Sequence, residues 1–235
     1  MIELADLRIL EISLVSILFI VSFCLGLRAL KIFRVSPNNF LEEIVFAIGL
    51  GLGCLSFLVL GLGLLGLLYD WIFYVLFGVV LIILYPELWY FCRRVWCARC
   101  GQISIRAFIP LVLTLFLAVI LLLVPTITFD ALVYHLAVPQ TYIQHHKIIY
   151  LPDNCFSNYT FNTEMLFTLG LLLKGDLLAK AIHFLFGLLS ALGIYSLSRR
   201  YFGKRTAYWS ILAFCSMPLA VFVATVAFND FALTF

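Results

Sequence analysis

This sequence predicts an all-α, polytopic membrane protein, on three observations. Hydrophobic residues make up 65% of the chain and charged residues only 11%, with a mean hydropathy of +1.14. A soluble domain runs nearer half apolar and a quarter charged. Several runs approach or exceed the roughly 18–20 apolar residues that carry a helix across a bilayer. The basic residues gather in short connections between those runs, as they do in loops on one side of a membrane.

Taken in order, the runs give about six crossing helices, at 9–30, 44–68, 71–91, 107–126, 177–198 and 206–229. The first begins near Arg8 and has no cleavage-site pattern after it, so it reads as a retained helix rather than a signal peptide. The second contains "GLGLGCLSFLVLGLGLLG" (49–66), where Gly51, Gly53, Gly61 and Gly63 are candidates for a close helix contact. A pliable helix without a special partner is the alternative. Arg28, Lys31 and Arg34 follow the first run; Arg93, Arg94, Arg99 and Arg106 follow the third; Arg199, Arg200, Lys204 and Arg205 follow the fifth. These eleven of the fifteen basic residues mark three cytoplasmic loops. The N-terminus, the turn at Tyr69–Asp70 and the long loop 127–176 are then expected outside. Basic residues confined to such loops point to no nucleic-acid partner.

Two shorter stretches are expected to structure the outer loop. Residues 164–173 ("EMLFTLGLLL") are too short to cross and suit an interfacial helix or a shallow re-entrant piece. Residues 131–146 suit an amphipathic helix, with Leu132, His135, Leu136 and Pro139 at related spacing and Pro139 breaking it or beginning a turn.

The same loop concentrates the polar residues: Asp130, Tyr134, His135, His145, His146, Asp153, Asn154, Asn158, Glu164 and Asp176. Asp230 ends the sixth run and emerges on the same face as Asp130. Ionisable residues at membrane depth are costly and mark functional sites. Asp176 reads as an N-cap of the fifth helix, Asp153 as a solvated residue, and the adjacent His145 and His146 as poor geometry for one metal. His183, one turn from Lys180, either snorkels, pairs with an outer-loop carboxylate or sits in a polar cavity. The seven cysteines are odd in number and irregular in spacing, so no disulfide framework follows. The C-x-x-C at Cys97 and Cys100 lacks both a second ligand pair for zinc and a redox context. Asn158–Thr160 is a glycosylation sequon, meaningful only in a host that glycosylates.

The stretch from Phe129 to Arg205, opening "FDALVYHLAVP", resembles the first outer loop and following helix of a GT-C-type membrane glycosyltransferase. The likeness is to the bacterial branch that includes protein O-mannosyltransferases and lipid A aminoarabinose transferases. Its marks are an Asp just after a membrane helix, then Tyr-His-Leu and Pro, then an acidic residue opening an interfacial helix. A membrane helix and a basic turn follow, and "PLAVFVATVAFNDFALTF" resembles the next helix. The likeness covers about 107–235; residues 1–106 read as a three-helix membrane extension. What the resemblance implies is transfer of a sugar from a polyprenyl-phosphate donor to a lipid, glycan or protein acceptor, on the outer side of a bacterial plasma membrane. Asp130 then serves as catalytic base, or helps to place the acceptor and a divalent metal. Tyr134, His135, Glu164 and His183 are implied substrate contacts; Asp130 and Asp230 are the implied metal ligands. Members of this family carry further helices after the point reached at Phe235, so the chain is expected to be an N-terminal portion. The alternatives are a transporter or channel-like subunit, with Asp130, Asp230 and His183 along a polar path, and a non-catalytic truncated remnant.

Overall fold

The computed structural model describes the backbone of residues 2–97 and 105–235, and side chains at 11, 13–94 and 109–235. The C-x-x-C residues Cys97 and Cys100, with Arg8, Arg99 and Arg106, fall outside the described side chains. The described chain is helical, with no strand among the described residues. Three helices are long and apolar enough to cross a membrane: α1 (Ile2–Ile32), through its stretch Ser13–Ile32, α2 (Phe40–Leu64), and α8 (Asp176–Phe202). The protein is an all-α, membrane-embedded polytopic protein.

Two of the remaining expected crossings are bent. The third divides into α3 (Asp70–Ile83) and α4 (Tyr85–Cys97), bent by 69°, and the sixth into α9 (Lys204–Cys215) and α10 (Pro218–Ala224), bent by 70°. Among the described residues, counting each bent pair as one span gives up to five crossings. A proline stands at each break. Pro86 lies in the first turn of α4 and Pro218 opens α10; neither has an N–H to continue the preceding helix, and Met217 is held extended before Pro218. The expected fourth crossing is α5 (Ile105–Leu122), whose described apolar part, Ile109–Leu122, is shorter than a span.

Antiparallel α1 and α2 meet along a face of small residues. A Cβ on Gly26 would strike the backbone of Ala47, and one on Gly51 that of Ser22. Of the four glycines expected at a contact, Gly51 therefore sits in one, and Gly63 is covered by Ile148. Gly53 and Gly61 face open space, and the spacing alone did not reveal Gly26. Asn39 caps α2 by accepting from the Glu42 N–H, while Glu42 Oε2 accepts from the Asn38 N–H, a reciprocal closure of the helix start. At the same end of the α1–α2 pair, buried Glu87 of α4 accepts from Lys31 (2.9 Å) and Arg28 (3.3 Å).

Residues 164–173 do form a helix, α7 (Asn162–Leu173), but Glu164 to Gly170 are buried without a break. A helix lying on the interface keeps one face in water; α7 instead packs between α2 and α8. Ser56 of α2 donates to the Asn162 carbonyl and side chain at its start. Gly175 (φ +135°) then turns the chain into α8, and Gly203 (φ +88°) turns α8 into α9, both in backbone conformations that favour glycine. Gly170 lies against the Ala179 backbone, which sets the close approach of α7 and α8. The core is the meeting of α1, α2, α7 and α8, filled by Leu18, Ile48, Leu52, Leu55, Leu166, Leu169, Leu178 and Ile182.

Two glycine substitutions test this packing with opposite signs. Gly51→Ala is expected to destabilise the fold by about 1–3 kcal/mol, because its Cβ meets backbone that cannot rotate away. Gly61→Ala, with nothing in its way, is expected to stabilise by roughly 0.5–1 kcal/mol through helix propensity. Reversible unfolding in mixed detergent measures both.

Candidate functional site

The segment that follows α5 is fastened to the start of α8 before it reaches Asp130. Buried Lys180 donates to the Val124 carbonyl (2.6 Å) and lies 4.0 Å from Asp176, while Thr126 Oγ1 donates to Asp176 Oδ2 (3.1 Å). Asp176 is thus the first residue of α8 and a partner of Thr126; the cap position belongs to Gly175, and Asp176 makes no capping bond.

Asp130 opens a single wide turn, Ala131–His135, closed by the Leu136 N–H on the Ala131 carbonyl (2.9 Å). The helix α6 (Ala137–Gln144) follows, with Pro139 in its first turn. The amphipathic segment therefore exists, with a break. Five residues to the turn rotate the positions after it, so Ala131, His135, Leu136 and Pro139 are buried while Leu132 stays exposed. Pro139 has no N–H for the His135 carbonyl, which favours the break at this point.

His135 and Glu164 form the centre of the site. His135 Nδ1–H donates to Glu164 Oε1 at 2.7 Å, with side chains only 4% and 3% exposed. Thr168 Oγ1 donates to the Glu164 carbonyl, and the aromatic rings of Tyr134, Phe167 and Phe228 surround the imidazole. Glu164 Oε2 is buried, with no hydrogen-bond partner among the described residues. Tyr134 stacks on Phe156, and Asn154 donates to the Val133 carbonyl (3.1 Å), so the short turn Cys155–Asn158 folds back over the segment.

His183 is wholly buried and both its ring nitrogens are engaged. Nδ1–H donates to the Val226 carbonyl (2.8 Å), and Nε2 accepts the Phe231 N–H (3.2 Å). With both nitrogens bonded, the imidazole fastens the 226–231 segment to α8. That bond places the start of α11 (Asp230–Thr234), and with it Asp230, next to the site.

Tyr134 records the convergence. Burial first, and then the carboxylates of Asp130, Glu164 and Asp230, push its phenol above the ordinary value near 10. Groups far apart in sequence thus share one electrostatic neighbourhood, with Asp130 and Asp230 exposed and Glu164 within. His135 and Glu164, expected to touch substrate, are first of all partners of each other; nothing in their spacing of 29 residues signals the pair. Among the described residues, no three His, Cys, Asp or Glu side chains gather as a metal-binding group. Asp130 and Asp230 do not by themselves make a closed metal centre. His145 bonds the Thr141 carbonyl, and His146 bonds the Leu68 carbonyl and stacks on Tyr69, both away from the site. Asp153 is exposed, as is Asn158 of the sequon.

Comparison with protein-family models, with curated proteins and with solved structures finds no match for this chain. The class is therefore set by the fold, a polytopic helical membrane protein with a carboxylate-rich site at one end of its bundle.

Two measurements test the site. Glu164→Ala strands the buried His135 N–H and is expected to cost about 3 kcal/mol in detergent unfolding, whereas Glu164→Gln keeps an acceptor and costs less than half of that. Tyr134, with its folded pKa raised, contributes stability that is present below pH ~10 and is lost as pH rises through the raised value. The difference between the ultraviolet phenolate titrations of the unaltered protein and Tyr134→Phe should isolate a late tyrosine, and Asp130→Asn should bring its midpoint back toward the ordinary value.

Proposed function

We propose that this chain is a membrane glycosyltransferase, or the N-terminal portion of one, that moves a sugar from a polyprenyl-phosphate donor to an acceptor hydroxyl on the outer face. The observation that supports it is the placing of Asp130: exposed, on a rigid wide turn, with Tyr134 and the His135–Glu164 pair beneath it and Asp230 brought alongside. A lipid-linked donor presents its phosphate at the membrane boundary, and the acceptor needs a base at the same height.

In this reading Asp130 accepts the proton of the acceptor hydroxyl as its oxygen bonds to the anomeric carbon. The bond from that carbon to the phosphate oxygen breaks, and polyprenyl phosphate leaves with the electron pair. Tyr134, kept neutral by its surroundings, donates a hydrogen bond to a sugar or acceptor oxygen. Glu164 and His135 act as positioning residues that hold the wide turn on α7. The divalent metal that the family resemblance implies would be held by Asp130 and Asp230 and would stabilise charge on the leaving phosphate. A transport path through His183 is disfavoured, because both its nitrogens are committed within the protein.

The test is a transfer assay on membranes with a panel of polyprenyl-phosphate sugars, with and without chelator. Asp130→Asn is expected to lower turnover about 10²–10⁴-fold, the usual worth of a general base, with membrane insertion unchanged. Full transfer by that variant would remove Asp130 from the role of base. Absence of transfer with every donor would favour the non-catalytic reading.

A further inference from the structure

A groove of about 760 Å³ runs between α2 and α8, away from the carboxylate site. One wall is α2 from Glu42 to Phe57 and the other is α8 from Ser190 to Arg200, with Thr234 and Phe235 closing part of it. The span from Glu42 to Phe57, fifteen helical rises, makes it roughly 22 Å long, enough for a lipid chain. The walls are apolar along most of this length, and Phe46, Leu50, Phe57 and Leu197 are exposed at its rim. A Cβ on Gly53 would meet nothing within 4 Å, and one on Gly193 only Val45 Cγ1 at 3.9 Å, so neither helix fills the space beside these glycines.

One end of the groove is charged, and with both signs. Glu42 and Arg200 line it together. Glu42 Oε2 is taken by the Asn38 backbone N–H (3.0 Å) and side-chain N–H (2.9 Å), and no ion pair joins Glu42 to Arg200 among the described residues. Arg200 lies over the Tyr201 ring and is exposed. Ser196, one turn from Arg200, is buried and lines the same end of the groove.

We propose that this groove holds a zwitterionic amino-phospholipid, with its phosphate on Arg200, its ammonium beside Glu42 and an acyl chain along α2 and α8. Charge complementarity selects the headgroup. A purely anionic lipid would satisfy Arg200 but bring its charge against the Glu42 carboxylate, whereas a zwitterion answers both. The exposed apolar rim gives an acyl chain a lateral way in.

The experiment is native mass spectrometry of the full chain in mild detergent, after equilibration with equimolar phosphatidylethanolamine and phosphatidylglycerol. One phosphatidylethanolamine is expected to be retained in preference. Gly53→Leu and Gly193→Leu, which have room in the fold, should lower its retention about tenfold by filling the groove. Gly61→Leu, equally roomy but outside the groove, should leave it unchanged. Arg200→Gln should weaken retention, and Glu42→Gln should erase the preference between the two lipids. Retention untouched by Gly53→Leu and Gly193→Leu would overturn the proposal. So would equal retention of both lipids by the unaltered protein, or a dimer mass that replaces the lipid and falls in Gly193→Leu, which would assign the groove to a helix of a second copy.

Discussion

The geometry of the segment from Asp130 to Gln144 depends on one buried hydrogen bond, from His135 to Glu164. Breaking such a pair inside the fold exposes a polar group to an apolar surround, so the pair holds its two elements in one register. The first element is the wide turn that begins at Asp130. The second is α7, itself enclosed between α2 and α8. The position of Asp130 is thereby referred back to the core of the bundle, although its own side chain is exposed.

The other half of the site is fixed by the same means from a different helix. His183 uses both imidazole nitrogens on the 226–231 backbone and so determines where Asp230 stands. That backbone is free to be captured because Pro218 has already bent the chain away from α9, and the residues after α10 are in no regular helix until Asp230. Three breaks, at Pro86, Pro139 and Pro218, give the fold its short pieces. Each frees carbonyls that side chains or turns elsewhere can use, and unsatisfied carbonyls are tolerated at membrane depth only where protein covers them.

Much of this was legible in the amino-acid order. The apolar runs marked every helix that carries the core, and the short run at 164–173 was rightly separated from the crossings because its length forbids one. The residues that gather near Tyr134 were also visible beforehand, as the few ionisable groups in a chain that otherwise avoids them. Their relations were not. Glu164 and His135 look alike as candidate ligands in sequence, and only packing shows that they answer each other. The glycines tell the same story: Gly51 and Gly53 are equivalent in any pattern, yet one lies on Ser22 and the other faces a groove.

Composition and run length determined by themselves that this is an all-α membrane protein, and where its polar residues are concentrated, because the cost of burying charge in hydrocarbon is local to each residue. The tertiary structure alone decided which crossings bend, which histidine holds which segment, and which carboxylates share a neighbourhood. Those outcomes depend on contacts between residues tens of positions apart, and a hydrogen bond between α8 and the Phe231 backbone has no trace in the spacing of either.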